Sequence, residues 1–137
     1  MEILSKAWQS DLALRAAAGS EIEDHGTCLL VRTPENPGFV WGNFLLLRRT
    51  PLRRDLTTWE RVFDEAFPDA EHRAFGIDDP TGSVADLAPF AARGYEVEVT
   101  HAMTASELTP RRRLDADVVI RQLKTDQDWE ERIALSR

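Results

Sequence analysis

The sequence predicts an α/β (α+β) fold in which helices flank a mixed, mainly antiparallel central sheet. The first observation is an apolar run over residues 39–47, which is hydrophobic on both faces and typical of a covered central strand. The second is a hairpin, because residues 28–32 are also strand-like and the turn residues 36–38 (Asn-Pro-Gly) stand between the two runs. The third is a helical pattern over residues 55–67 that places its apolar side chains on one stripe.

The size and composition of the chain limit what it can be. Its 137 residues fit one domain, and 42% hydrophobic with 30% charged residues is an ordinary globular balance. The net charge of −7 argues against nucleic acid as a partner. Cys28 is the single cysteine, so we expect no internal disulfide and no cysteine-based metal site. Without a leader or an apolar run of about twenty residues, we expect no membrane insertion and a cytoplasmic location.

The first elements follow from helical spacing and turn residues. Residues 5–18 predict a helix, and Gly19 is suited to end it. Residues 21–25 are short and charged, and we interpret them as a first strand. Gly42 interrupts the central run, and a glycine inside a strand usually marks a bulge or the close approach of another backbone.

The helix over residues 55–67 has two candidate N-caps. Thr57 and Glu60 have the spacing of a capping box, and Asp55 is equally suited to cap the helix. Pro68 ends the helix at its other terminus.

The chain then predicts two more strands around a short helix. Residues 71–77 have strand character and lead into a loop rich in helix and strand breakers. Asp86 is the expected N-cap of the short helix, with Pro89 in its first turn. Residues 95–105 alternate between apolar and polar side chains and predict a half-buried strand. Beyond them, residues 109–116 are expected to form a linker, followed by a strand over residues 117–123 and a helix over residues 126–135.

Four arginines next to a helix N-terminus form the first candidate binding site. They could hold a phosphate or a carboxylate, and they are Arg48, Arg49, Arg53 and Arg54. The alternative is a solvated loop that keeps a sheet edge from pairing and balances nearby carboxylates. The sequence favours the solvated loop, since runs of charge usually lie on solvated faces.

Carboxylates and histidines provide the candidate general bases. Asp78 and Asp79 follow a predicted strand, where they could act as general bases or Mg²⁺ ligands. An Asp before proline is also common in turns, and two adjacent carboxylates make a weak metal signal, so the sequence favours a turn and no metal site. His72 is a further candidate base, but no serine or cysteine nucleophile motif accompanies it. The chain has no HExxH, P-loop or GxGxxG pattern.

Several short motifs resemble the GCN5-related N-acetyltransferase (GNAT) superfamily. Residues 90–96 (FAARGYE) are similar to the short helix, glycine turn and final strands of that family. Residues 119–123 (VIRQL) and 125–129 (TDQDW) resemble the strand and helix that open a GNAT domain. The apolar 39–47 strand followed by FGID also resembles bacterial proteins in which a degenerate GNAT-like half precedes a catalytic one. The resemblance implies a GNAT-like domain over residues 1–108, the 109–116 linker, and a second, truncated GNAT-like domain over residues 117–137.

Two departures from the family imply that this half is not catalytic. GNAT enzymes hold the pyrophosphate of acetyl-CoA on a glycine-containing loop at a helix N-terminus, and this chain has no glycine between Gly42 and Gly76. The tyrosine that commonly protonates the departing thiolate maps to Phe90, which has no hydroxyl. We therefore expect a noncatalytic interaction or regulatory half without a cofactor, whose partner is a C-terminal GNAT domain or a second copy of the chain, as in a homodimer.

Two other functions stay open. The first is an atypical acetyl-CoA-dependent N-acetyltransferase, which would hold the cofactor through the four arginines and use Glu71, His72 or Asp78 as the base. The second is a small-ligand binding module, whose cleft would lie near Trp41, Asn43 and Phe75.

Overall fold

The computed structural model describes residues 1–105, 107 and 121–135. The chain divides into two compact units, Met1–Met103 and Thr104–Arg137. The helices of the first unit are α1 (Lys6–Ala17), α2 (Leu56–Ala66) and α3 (Ala88–Ala91), and its strands are β1 (Glu21–Asp24), β2 (Cys28–Arg32), β3 (Phe44–Leu47) and β4 (Phe75–Ile77). The second unit contributes α4 (Asp126–Ala134). The expectation of an α+β fold is confirmed.

The four strands form one mixed sheet in the order β1-β2-β3-β4. The first two pairs are antiparallel, with Ile22 opposite Val31 and Leu29 opposite Leu46. The β3–β4 pair is parallel, with Leu46 opposite Gly76. Two of the three pairings are therefore antiparallel, as the hairpin pattern predicted.

Helices cover the two faces of this sheet. Neighbouring residues of a strand point to opposite faces. Trp8 of α1 packs over Gly76, whereas Phe63 of α2 contacts Phe75 with ring centroids 5.7 Å apart. The core between the layers consists of these buried side chains: Leu12, Cys28, Leu29, Leu30, Val31, Phe44, Leu45, Leu46, Leu47, Phe63, Phe67 and Ala74. All four β3 residues are buried, which explains why the sequence there is apolar on both faces.

The central strand is shorter than the apolar run that predicted it. Only Phe44–Leu47 pairs as a strand, and Val40–Gly42 forms a 3₁₀ turn. The prediction of a strand over 39–47 was therefore wrong in its first half. Side chains, and not a backbone, approach Gly42: a Cβ there would lie 2.5 Å from the Phe39 ring and 2.8 Å from Thr33 Oγ1.

The other two predicted strands are also corrected. Residues 71–73 do not pair, and β4 begins only at Phe75, because Arg73 is held by Asp64 of α2. Residues 95–105 belong to no strand of the described sheet, although their alternation predicted one. Their side chains from 96 to 105 are exposed, so no neighbouring strand satisfies the pattern.

The capping predictions gave mixed results. Ser83, and not Asp86, caps the helical segment Val84–Leu87, while the Asp86 carboxylate accepts a hydrogen bond from the Ser83 amide in a capping box. Asp55 is the N-cap residue of α2, although its side chain makes no capping hydrogen bond. Gly94 ends the α3 region with a φ of +88°, which glycine adopts without strain.

In the second unit, the predicted helix over 126–135 is confirmed as α4. The Thr125 hydroxyl accepts a hydrogen bond from the Asp128 amide, and the Asp128 carboxylate accepts one from the Thr125 amide. The Arg121 guanidinium, and then the amides of Lys124 and Thr125, lower the pKa of Asp128. The predicted strand over 117–123 lies outside the described residues up to position 120, and residues 121–123 are irregular. The predicted 109–116 linker lies wholly outside them.

Gly76 is required by the contact between α1 and the sheet. A Cβ at this position would lie 2.8 Å from two Trp8 ring atoms and 2.9 Å from Leu46 Cδ1. We expect Gly76→Ala to lower the free energy of unfolding by about 1–3 kcal/mol, because the indole must move away from β4. Urea unfolding followed by circular dichroism measures the change. Gly38→Ala is the matched control, since no atom lies within 4 Å of its Cβ position. Equal midpoints for the two variants would contradict the packing of Trp8 on Gly76.

Candidate functional site

A cleft of about 820 Å³ lies beside β4 in the first unit. One wall comes from α1, with Trp8, Asp11 and Arg15. Another wall comes from the α3 region and from residues 95–102, which belong to no helix or strand. The floor is the side of β4 that faces away from β3. Because β4 is the last strand of the sheet among the described residues, this cleft is where a further strand would be added.

The free edge of β4 has backbone groups directed into the cleft. Leu45 N donates to Ala74 O at 3.2 Å, and Asp78 N donates to Leu47 O at 2.8 Å, so the residues on either side of β4 direct these groups at β3. In a parallel pair the backbone groups of alternate residues point to opposite sides. The amide and carbonyl of Phe75 and the amide of Ile77 therefore face the cleft.

The wall on the α1 side is polar at its rim and aromatic at its base. The Trp8 indole N–H donates to the Ile77 carbonyl at 3.1 Å and so takes one acceptor of the free edge. Arg15 pairs with Asp11 and donates to the Trp41 carbonyl, with its guanidinium 5.2 Å from the Phe44 ring centroid. Both charges of this wall are thereby internally paired.

An aromatic cluster forms the wall on the α3 side. Phe75, Phe90 and Tyr95 contact one another with ring centroids 5.6–6.0 Å apart. The Tyr95 hydroxyl donates to Glu60 at 3.2 Å. Burial, and then the negative charge of Glu60, raise the pKa of Tyr95. The cluster attaches the start of the 95–102 segment to α2 and β4.

The remaining charged groups at the cleft differ in whether they are paired. Arg73 makes two hydrogen bonds to Asp64, at 2.7 and 2.6 Å. Asp79 accepts from Thr50 and Thr81, and the Thr50 amide is the main reason that its pKa is lowered. Glu96 and Glu98 are exposed, and neither carboxylate has an ion-pair partner among the described residues. The cleft therefore has an unneutralised acidic side.

The four arginines do not line this cleft. Arg48, Arg49, Arg53 and Arg54 are all exposed, and Arg54 lies 3.7 Å from Asp55. This placement is that of a solvated loop before α2, and whether these arginines bind a cofactor stays a prediction.

The three candidate bases are not brought together. Glu71 is exposed, and the His72 ring lies 3.2 Å from the Asn43 carbonyl and packs edge-on against Phe63. Asp78 is fully buried, and its carboxylate accepts hydrogen bonds from the amides of Leu4 at 2.6 Å and Ser5 at 2.8 Å. Asp78 thus anchors the chain entering α1 and does not face the cleft.

The proposed ligand cleft is partly assembled as expected. Trp41 and Phe75 line it, with Trp41 on the α1 side and Phe75 on the floor. Asn43 is buried away from it and organises the preceding loop. The sequence analysis did not identify Trp8, Glu96 or Glu98 as residues of the cleft. The alternating apolar and polar pattern of residues 95–100 was the one signal that could have pointed to the two glutamates.

Two further properties concern metals and membranes. Among the described residues, no group of three or more His, Cys, Asp or Glu side chains is arranged to hold a metal ion. None of the helices in the described ranges combines the length and the apolar character that crossing a membrane requires. Cys28 is buried in β2, where desolvation raises its pKa.

Comparison of the chain with protein-family models, with curated proteins and with solved structures gave no match.

Proposed function

We propose that the first unit is a noncatalytic, GNAT-like interaction domain of a cytoplasmic protein related to the acetyltransferases. Its partner in this proposal is a following GNAT domain or a second copy of the chain. Exposed apolar side chains on α4, Trp129 and Ile133, support a role for the second unit in such contacts, because they lie four residues apart on one helix face. Sedimentation equilibrium distinguishes self-association from binding to another domain.

The proposal rests on the hydrogen bonds that the backbone amides before α2 already make. A pyrophosphate bound at this helix N-terminus needs free amides that point at it. The Thr50 amide already donates to the Asp79 carboxylate at 3.3 Å, and the Asp55 amide donates to the Leu52 carbonyl at 2.8 Å. Pro51 has no amide hydrogen. The Thr50 and Asp55 amides are thus already used, and Asp79 places a carboxylate beside Thr50.

The environment of Phe90 supports the same proposal. Position 90 is buried among aromatic rings, 6.0 Å from Phe75 and 5.6 Å from Tyr95. A buried phenylalanine cannot protonate a departing thiolate, and the nearby Tyr95 hydroxyl already donates to Glu60. In this proposal the likeness to GNAT enzymes is one of architecture and not of chemistry.

Titration calorimetry with acetyl-CoA and CoA tests the proposal. We expect no measurable heat and no thermal stabilisation at ligand concentrations up to about 1 mM. Micromolar binding that is lost in the double variant Arg53→Ala/Arg54→Ala, but kept in the control Arg61→Ala, would overturn the proposal. The atypical acetyltransferase would then be the better assignment.

A further inference from the structure

We propose that the cleft beside β4 binds an extended peptide segment that alternates apolar and basic residues and is added to the sheet as a strand. This inference rests on the proposed function, since it names the chemistry of the partner that the interaction domain recognises. The bound segment would lie between β4 and residues 95–102, and it would pair with backbone groups of both.

The first observation is a set of backbone groups along the cleft that no hydrogen bond between described residues uses. The Phe75 amide and carbonyl and the Ile77 amide point into it, as the alternation of bonds to β3 requires. Free strand edges pair readily with extended peptides, and main-chain hydrogen bonds then supply the affinity. The Ile77 carbonyl is not available, because it accepts a hydrogen bond from the Trp8 indole. The groups that a bound peptide could pair with are therefore the Phe75 amide and carbonyl and the Ile77 amide.

A second observation, independent of β4, concerns the wall of the cleft that residues 95–102 form. Residues 95–100 alternate as a strand does, with Tyr95, Val97 and Val99 on one side, yet no strand of the described sheet pairs with them. Val97 and Val99 are 36% and 47% exposed, although both line the cleft. Such a pattern is stable when an adjacent strand covers it. An inserted segment would supply that neighbour.

A third observation is the net negative charge of the side chains that line the cleft. The cleft lining contains four acidic residues, Asp11, Asp79, Glu96 and Glu98, but only two arginines. Each arginine is ion-paired, Arg15 with Asp11 and Arg73 with Asp64. The excess charge is therefore negative and lies mainly on the 95–102 segment, where Glu96 and Glu98 alternate with the valines. A partner whose lysines or arginines alternate with apolar residues matches both features, and the net charge of −7 adds long-range attraction.

A synthetic peptide tests this inference on the full chain. The probe alternates lysine and valine over about eight residues, the length of an ordinary strand, with both ends blocked. We expect calorimetry to show binding that is about tenfold or more weaker when glutamate replaces each lysine. We also expect binding to be lost when alternate peptide amides are N-methylated, because one strand edge can then no longer pair. Slowed hydrogen exchange at the Phe75 and Ile77 amides is the structural readout.

A charge-reversal variant tests whether the peptide binds at the acidic wall of the cleft. Glu98→Lys is expected to weaken peptide binding by about tenfold, because it replaces an unpaired carboxylate of the cleft. Glu35→Lys is the matched control, since Glu35 is exposed and lies outside the cleft, and it should leave the affinity unchanged. Equal effects of the two substitutions would overturn the assigned site.

The remaining outcomes separate this inference from the proposed function. No binding of the lysine–valine peptide, together with no binding of acetyl-CoA, would overturn the strand-addition site and leave the noncatalytic assignment in place. Binding of acetyl-CoA would overturn the proposed function whatever the peptide does. Protection of the Phe75 amide in a dimer of the chain alone would show that a second copy occupies the edge, and would overturn a basic peptide as its occupant.

Discussion

Replacing Asp78 with alanine is expected to lower the free energy of unfolding by about 3 kcal/mol, through the loss of two charge-assisted hydrogen bonds. Its carboxylate is fully buried and accepts from the Leu4 and Ser5 amides. Alanine would leave both amides without an acceptor and would release the start of α1 from the end of β4. The largest expected effect therefore arises where the backbone of α1 is joined to the sheet.

Urea unfolding of Asp78→Ala and Asp78→Asn measures this effect. Asparagine keeps the shape but offers one acceptor oxygen, and its amide hydrogens would face a backbone N–H, so we expect an intermediate loss of about 2 kcal/mol. Glu71→Ala is the control, because Glu71 is exposed, and it should change stability by no more than about 0.5 kcal/mol. If Asp78→Ala proved as stable as Glu71→Ala, the structural role of Asp78 would be wrong.

Replacing Asn43 with alanine is expected to lower the free energy of unfolding by about 3 kcal/mol, because its buried side chain bonds several backbone groups of one loop at once. The Oδ1 atom accepts from the Thr33 amide at 3.0 Å. The Nδ2 atom donates to the carbonyls of Asn36, Pro37 and Phe39 at 3.0–3.2 Å. Asn43 is only 3% exposed, so water cannot replace these bonds without opening the loop.

Asn43→Asp tests the donor half of this network. Aspartate keeps an acceptor for the Thr33 amide, but it directs a carboxylate oxygen at three carbonyl oxygens. At neutral pH we therefore expect Asn43→Asp to be at least as destabilising as Asn43→Ala. Asn36→Ala is the control, since the Asn36 side chain is exposed. A fully stable Asn43→Asp in thermal and urea unfolding would show that Nδ2 donates none of these bonds.

These two residues show where sequence reasoning about the site reached its limit. The sequence suggested Asp78 as a general base and Asn43 as part of a ligand cleft. Polar side chains next to apolar strands are often interpreted as functional residues. The Asp78 carboxylate accepts hydrogen bonds from the amides of Leu4 and Ser5, which lie 74 and 73 positions earlier in the chain. No local sequence pattern reveals a contact over such a separation. Phe75 and Trp41 both line the cleft, and their role in binding a ligand stays a prediction.

Local signals predicted the helices well. Ser5 and Gly19 bracket α1, Pro68 follows α2, and Thr125 caps α4, because capping and stopping depend on a few neighbouring residues. Strand lengths were less accurate. The 39–47 run and the 95–105 alternation both had strand patterns, but only the first contains a segment that pairs.

The sequence by itself determined the α+β class, the order of the elements from α1 to α3, and the buried hairpin at the centre of the sheet. Those features follow from hydrophobic periodicity and from turn residues, which act over a few positions. Only the tertiary structure decided that β4 ends the sheet, that Asp78 holds the start of α1, and that an acidic, unpaired segment faces the free edge of β4. The physical reason is that a strand edge and a buried carboxylate are completed by partners distant in the chain.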